Sequence, residues 1–296
     1  MTKKYKIIGI ILMLVLCVIV IGKKEANVYT KISAGKVNPQ ISYNGKQNDI
    51  NSNNGIKYIG HRGIGGRAPE NTIPAFELAG KLGFWGAECD VRTTSDGNWM
   101  ILHDETVNRT TNGAGKIKNL SNLDVQALNI DSGKNIESFK NLKIPKLKQY
   151  LSVCKRSGLI AVIEMKPSDN LLYYNSFIEI VKKDGDLQKT IVISSSMKSL
   201  NELRKRDTNL TLGLICSNIT NANIYNVKSL GNAFIDSSYH NITKSEVILC
   251  HENNIKVGAW TVDETSLARD LSQMGVDYLT TNKLLPEGKK QQISIN

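Results

Sequence analysis

The chain has 296 residues, 41% of them apolar, and a formal charge of +11, enough length for one large domain with its own core. The charge is unevenly spread: eight lysines against Glu25 and Asp49 give residues 1–56 a net +6 and leave +5 for all the rest. That excludes a nucleic-acid footprint on the folded part and reads as attraction to a membrane surface around one apolar segment.

Ile7 to Gly22 is an uncharged run of 16 residues, with Lys3, Lys4 and Lys6 before it and Lys23 and Lys24 after it. A spanning helix needs about 20 residues, with a lower bound of roughly 17, and Tyr5 with snorkelling of Lys6 and Lys23 extends the run into that range. Lys-Lys-Glu follows where signal-peptide cleavage needs small residues, and Val15 and Leu16 precede Cys17 where a lipoprotein site needs them. Residues 1–25 are therefore expected to form an uncleaved single-pass anchor in the cell membrane. The slight lysine excess before the run puts the N-terminus in the cytoplasm and the remainder outside it. Residues 26–55, rich in Asn, Lys, Gly and Ser, read as a flexible tether.

From residue 56 onward, short apolar runs alternate with helical patterns. Strands are expected at 57–60, 86–91, 160–164, 190–194, 211–215, 233–236, 256–260 and 277–280. The stretch 72–82 shows the helical type: Ile73, Phe76, Ala79 and Leu82 share a face, Asn71 or Thr72 caps the start, Pro74 lies in the first turn and Gly83 follows the end. Eight repeats of strand then helix predict an α/β fold, a (β/α)8 TIM barrel over residues 56–296, with a doubly wound open sheet as the alternative. Between the second and third strands lie roughly 70 residues, more than a plain βα unit uses. They predict a small insertion at about 104–145 over the C-terminal mouth of the barrel. Cys17, Cys89, Cys154, Cys216 and Cys250 are scattered without C-x-x-C spacing, so neither a zinc site nor a disulfide framework is expected.

Chemistry-bearing residues gather at the strand ends. The first strand runs into Gly60-His61-Arg62-Gly63 and then Ala68-Pro69-Glu70-Asn71-Thr72. The second ends Glu88-Cys89-Asp90-Val91, a hairpin returns as Ile101-Leu102-His103-Asp104, and the third ends in Glu164 and Lys166. Alternate strand side chains share a face, so Glu88 and Asp90 point the same way. Three carboxylates brought together repel unless one takes a proton, and a hard divalent cation resolves the conflict. With a cation of charge +2, the carboxylates at −3 and Arg62 and Lys166 at +2, the net +1 matches one phosphodiester anion. His61 and His103 would flank that phosphate, one of them taking a proton from the nucleophile and the other protonating the leaving alkoxide.

These stretches resemble the glycerophosphodiester phosphodiesterases. The resemblance takes in Ala75-Phe76, Thr94-x-Asp96-Gly97, Asn108-Arg109-Thr110-Thr111, Ile144-Pro145, Trp260-Thr261-Val262 and Gly275-Val276-Asp277 as well, and spans about residues 57–285. It implies a barrel that uses one divalent metal ion, Ca2+ or Mg2+, to hydrolyse glycerophosphodiesters to an alcohol and sn-glycerol 3-phosphate. By motif, His61 and His103 are the acid–base pair, Glu88, Asp90 and Glu164 the metal ligands, and Arg62 and Lys166 the phosphate holders. Glu70 is placed near the metal or the glycerol hydroxyls, and Trp260 walls the glycerol pocket. The attacking oxygen is water or the glycerol's own neighbouring hydroxyl, the latter by way of a cyclic phosphate. The alternatives are a related barrel of the sphingomyelinase D type acting on intact or lyso-phospholipids, and a degenerate barrel that binds phosphate without turnover. Three positions depart from the family: Asn282 stands where a carboxylate is usual, Leu284 where a Pro often follows it, and Asp263 where Asn is common.

Overall fold

The computed structural model describes residues 55–167 and 171–286; the anchor expected at 1–25 and the tether up to residue 54 lie outside them. No helix among the described residues is long and apolar enough to cross a membrane.

Nine strands of the described residues form one sheet. Eight are parallel: β1 (Lys57–Gly60), β2 (Gly86–Thr93), β4 (Ile160–Met165), β5 (Thr190–Ser194), β6 (Thr211–Cys216), β7 (Ala233–Ser238), β8 (Val257–Trp260) and β9 (Tyr278–Thr281). Because β1 pairs with both β2 and β9, the sheet closes on itself, and the open doubly wound alternative is excluded. The short β3 (Trp99–Ile101) returns antiparallel along the end of β2. Pairing with β3 is also why β2 runs two residues past its expected end. Asp277, expected to open β9, stays outside it and uses Oδ2 to accept the Val257 amide at 2.8 Å.

Outside the ring lie α1 (Ile73–Lys81), α3 (Leu147–Ser157), α4 (Leu171–Asp184), α5 (Met197–Arg206), α6 (Asn221–Leu230), α7 (Lys244–Glu252) and α8 (Thr265–Met274), and the short α2 (Asn122–Ala127) belongs to the insertion. Helix α1 starts where the sequence indicates: the Thr72 side chain accepts from the Ala75 amide, and Ala75, Phe76 and Ala79 turn inward. Since Thr72 is the cap, Asn71 is left for another task. Phe76 meets the Tyr150 ring edge-on at 4.8 Å, tying α1 to α3, and full burial of a Phe is worth about 1.5–3 kcal/mol.

Inside the ring, Ile59, Val162, Ile191, Ile193, Phe234 and Tyr278 form a compact floor. The insertion has a separate core, built around Met100, Val107, Ile117, Val125 and Ile144. Among the described residues, Cys89, Cys154 and Cys250 are buried free thiols and Cys216 is half-buried. The Tyr150 hydroxyl donates to the Ala87 carbonyl at 2.6 Å from a fully buried position. Tyr150→Phe leaves that carbonyl with one partner fewer and is expected to cost about 1–2 kcal/mol, read as a lower denaturant midpoint at unchanged slope.

Candidate active site

The Gly60–Gly63 turn folds back over the end of β1. The His61 amide donates to the Thr281 carbonyl at 2.9 Å, and the Gly63 amide to the Glu88 carbonyl at 2.9 Å. Arg62 sits in the left-handed region at φ 53°, where its own amide reaches Glu88 Oε2 at 2.7 Å. Both glycines are required by space. A Cβ on Gly60 would lie 1.8 Å from the Gly63 carbonyl oxygen, and one on Gly63, at φ 87°, would lie 2.7 Å from the Ala75 backbone.

Glu88 and Asp90 project inward from β2, and Asp90 is in register with Glu164 on β4. One oxygen of each lies within 4.8 Å of the others. Glu88 is 2% exposed and Asp90 1%, so each charge is felt strongly. Burial, then Asp90 and Glu164, push the Glu88 carboxyl well above its usual range, and burial and Asp90 raise Glu164 too. Burial acts the same way on Asp90 but loses to Lys166 and Arg62, which hold it low. Lys166 Nζ lies 2.8 Å from Asp90 Oδ1 and also meets Glu164 Oε1. Arg62 Nε is 3.5 Å from Asp90 Oδ2. Even so, Glu88 Oε1 is buried with no hydrogen-bond partner. An all-oxygen donor set, crowded enough to raise two of its own pKa values and with an unsatisfied lone pair, can hold a hard divalent cation.

The two histidines have their Nδ1 atoms fixed by different partners. His103 Nδ1 lies 2.7 Å from Asp104 Oδ1, an acceptor-only carboxylate when ionised, and Asp104 is held below the usual range chiefly by Arg109. His61 Nδ1 lies 2.9 Å from Asn282 Oδ1. The orientation of that amide follows from its other side: Asn282 Nδ2 donates to Asp263 Oδ2 at 3.0 Å and Asn282 N to Asp263 Oδ1 at 2.7 Å. Asp263 fixes Nδ2 toward itself, so Oδ1 faces His61, Nδ1 carries the proton, and Nε2 of the neutral ring keeps its lone pair. Burial, then Arg62, lower the His61 pKa, with Asn282 opposing. Two of the departures from the family pattern, Asn282 and Asp263, are thus in contact. Amide and carboxylate have exchanged places, and the negative charge stands one residue away from the imidazole.

Glu70 does not join the carboxylate cluster. Arg62 Nη1 donates to it at 2.8 Å, and Arg109 grips it through both oxygens at 2.7 and 2.9 Å. Arg109 also binds both oxygens of Asp104, at 2.6 and 3.1 Å. One guanidinium from the insertion therefore links the arm that holds Arg62 to the arm that orients His103. Asn71, at φ 57° and 4% exposed, donates Nδ2 to Asp90 Oδ2 at 2.8 Å and receives the Asp90 amide at 3.3 Å. Trp260 ends β8 with Nε1 donating to the Asp236 carbonyl at 3.1 Å. Arg109, Asp104 and Asn71 all lie in motifs visible in the sequence, but their roles depend on contacts across the fold. Asp236, a buried acid on β7, carried no sequence signal beyond its place at the end of an expected strand.

Comparison with known proteins follows this geometry closely. Residues 61–285 match the Glycerophosphoryl diester phosphodiesterase family. A glycerophosphodiester phosphodiesterase of Caldanaerobacter subterraneus subsp. tengcongensis is 32% identical over 228 residues, 76% of this chain and 93% of that protein. One from Bacillus altitudinis is 28% identical, over 76% of this chain and 94% of its own length. Among solved structures, an Oleispira antarctica phosphodiesterase in complex with the product sn-glycerol-3-phosphate superposes with a TM-score of 0.72 at 27% identity, covering 76% of this chain and 92% of that one. With the barrel closed, three carboxylates gathered at its mouth and the match running from His61 almost to the last described residue, the chain belongs to the glycerophosphoryl diester phosphodiesterase family.

Proposed function

We propose that the chain hydrolyses glycerophosphodiesters to an alcohol and sn-glycerol 3-phosphate, with His61 as general base and His103 as general acid. The observation that carries the assignment is the difference between their Nδ1 partners. Asn282 is neutral and holds His61 as the Nδ1–H tautomer, free at Nε2 to take a proton from the attacking hydroxyl. His103 donates Nδ1–H to a carboxylate, and a carboxylate partner stabilises the positive ring that must protonate the leaving alkoxide. Glu88, Asp90 and Glu164 would hold one divalent cation, Ca2+ or Mg2+, which supplies positive charge against the phosphoryl oxygens. Arg62 and Lys166 are aimed at the same charge, and each already shares Asp90. Trp260 walls the glycerol side. Glu70 positions Arg62 rather than binding the cation.

Purified protein assayed with Ca2+ or Mg2+ is expected to release glycerol phosphate from glycerophosphocholine or glycerophosphoglycerol and to stop when chelator is added. No release from any deacylated substrate, with turnover of lysolipids instead, would point to the sphingomyelinase D type. Cation binding without turnover of either class would point to the degenerate barrel.

The run from Ile7 to Gly22, flanked by lysines, supports a further part of this reading: attachment to the cell membrane with the barrel on its outer side. The full chain should then resist alkaline extraction from membranes, and external protease should reach the barrel in intact protoplasts.

A further inference from the structure

Phe234 and Asp236 of β7 are two residues apart and share the inner face of the barrel, Phe234 in the floor and Asp236 one layer nearer the mouth. Asp236 is 5% exposed. Its main-chain carbonyl accepts from the Trp260 indole, but no hydrogen bond or ion pair reaches its carboxyl group from any described residue. The carboxyl leans into room left by Gly258 on β8, where a Cβ would lie 2.5 Å from Asp236 Oδ1. Every other inward-facing acid at this level is engaged: Asp90 with Asn71, Arg62 and Lys166, Glu164 with Lys166, and Glu88 with the Arg62 amide. Asp236 also lies outside the group of three that can share a cation. Asp236 is almost wholly removed from solvent, and a carboxyl kept there without a protein partner calls for a reason.

We propose that Asp236 is a substrate-binding residue: its carboxyl group hydrogen-bonds a hydroxyl of the glycerol arm and selects phosphodiesters that carry one.

This rests on the phosphodiesterase reading above. Two features choose the glycerol arm over the departing alcohol. The acid assigned to the leaving group, His103, has a side chain 36% exposed, so that alcohol faces solvent. Asp236 is on the far side of the ring from β2, separated from it by β4, β5 and β6 one way and by β1, β9 and β8 the other, low in the mouth beside Trp260. A closed wall suits the arm that all these substrates share, and the variable group leaves by the open side. A hydroxyl suits this acid better than an ammonium. A carboxyl accepts from a hydroxyl in either protonation state, and burial raises the Asp236 pKa, which disfavours the full charge that pairs with an ammonium.

The test is steady-state kinetics on the full chain carrying Asp236→Asn or Asp236→Leu, with glycerophosphocholine and with bis(p-nitrophenyl) phosphate, a phosphodiester that has no glycerol. The expected result is a 10- to 100-fold loss of kcat/KM on glycerophosphocholine for Asp236→Leu, carried mainly by KM, a smaller loss for Asp236→Asn, and less than a twofold change on the nitrophenyl ester. Melting temperatures with sn-glycerol 3-phosphate and with inorganic phosphate give a readout that needs no turnover. Asp236→Leu should lose the stabilisation by glycerol phosphate and keep that by phosphate, with the unliganded protein at least as stable as wild type. Equal losses on both substrates would make Asp236 structural, and unchanged kinetics on both would remove it from the site. A loss on glycerophosphocholine absent from glycerophosphoglycerol would mean that it contacts a cationic head group. Each of these overturns the proposal. Inactivity of the wild type on every glycerophosphodiester would instead overturn the reading it rests on.

Discussion

Glu88→Gln is expected to lower kcat/KM on glycerophosphodiesters by about a thousandfold or more, because it removes one of the three carboxylates proposed to hold a cation, and the electrostatic effect of such a cation is worth several kcal/mol in the transition state. The same substitution should act oppositely on the metal-free fold. Glu88 is buried against Asp90 and Glu164, and its carboxyl is pushed well above the usual range. A carboxyl raised in the folded state contributes stability below its unfolded pKa, near 4.5, and loses that contribution as pH rises through the folded value. Metal-free wild type should therefore lose stability as pH rises above 4.5, and Glu88→Gln should lose less, keeping only the part that the raised Glu164 contributes. A divalent cation reverses the sign by taking the place of the proton. At a hundredfold excess over its Kd it adds about 2.7 kcal/mol, which for a domain of this size is roughly 5–10 °C in Tm. Differential scanning calorimetry with Ca2+, Mg2+ and chelator at two pH values measures both halves. A wild type whose Tm is the same with and without either cation would sink the metal reading, whatever the activity of Glu88→Gln.

The parts of this site that were legible in the sequence are those set by local pattern. Strand alternation places Glu88 and Asp90 on one face, the helix period with Thr72, Pro74 and Gly83 delimits α1, and strand-then-helix repetition gives the barrel. The parts that were not legible are those made by ring closure. Asp263 and Asn282 are 19 residues apart and come from the ends of neighbouring strands. Asn282 meets His61 across 221 residues of chain, and only the β1–β9 pairing brings them together. Arg109 reaches Glu70 over 39 residues from within an insertion, and the sequence there marks a motif without saying what it grips. Glu70 illustrates the consequence. As an acid beside a cluster of acids it reads as a cation or hydroxyl partner, but two guanidiniums take up its oxygens and hold its pKa down against burial. Asn71 reads as a possible helix cap, and Thr72 takes that position and leaves the amide to orient Asp90.

The exchange of amide and carboxylate beside His61 leads to the second large effect. His61→Ala removes the proposed base and is expected to lower kcat about 100- to 10,000-fold, with KM little changed because Arg62 and Lys166 remain. Finer substitutions separate charge from orientation. In the wild type, burial and Arg62 lower the His61 pKa from 6.5. The neutral base therefore persists below that pH, and the acidic limb of kcat/KM should fall below 6.5. Asn282→Asp puts a carboxylate directly on Nδ1. A negative neighbour favours the imidazolium, so the base is neutral only at higher pH and the acidic limb should move upward. Asp263→Asn leaves the charge at Nδ1 unchanged and removes the acceptor that orients the Asn282 amide. Asn282 can then present Nδ2 to the ring, which stabilises the tautomer with the proton on Nε2, the atom that must accept it. Wrong tautomers have cost other histidine catalysts up to about 10,000-fold; with a free amide choosing between two orientations, a fall of about 10- to 100-fold in kcat is expected, with the limb in place. A pH profile of each variant keeps the two effects apart: one shifts the curve along the pH axis, and the other lowers it. If Asn282→Asp leaves the limb where it is, His61 is not the group whose deprotonation starts the reaction, and the base must be sought at His103.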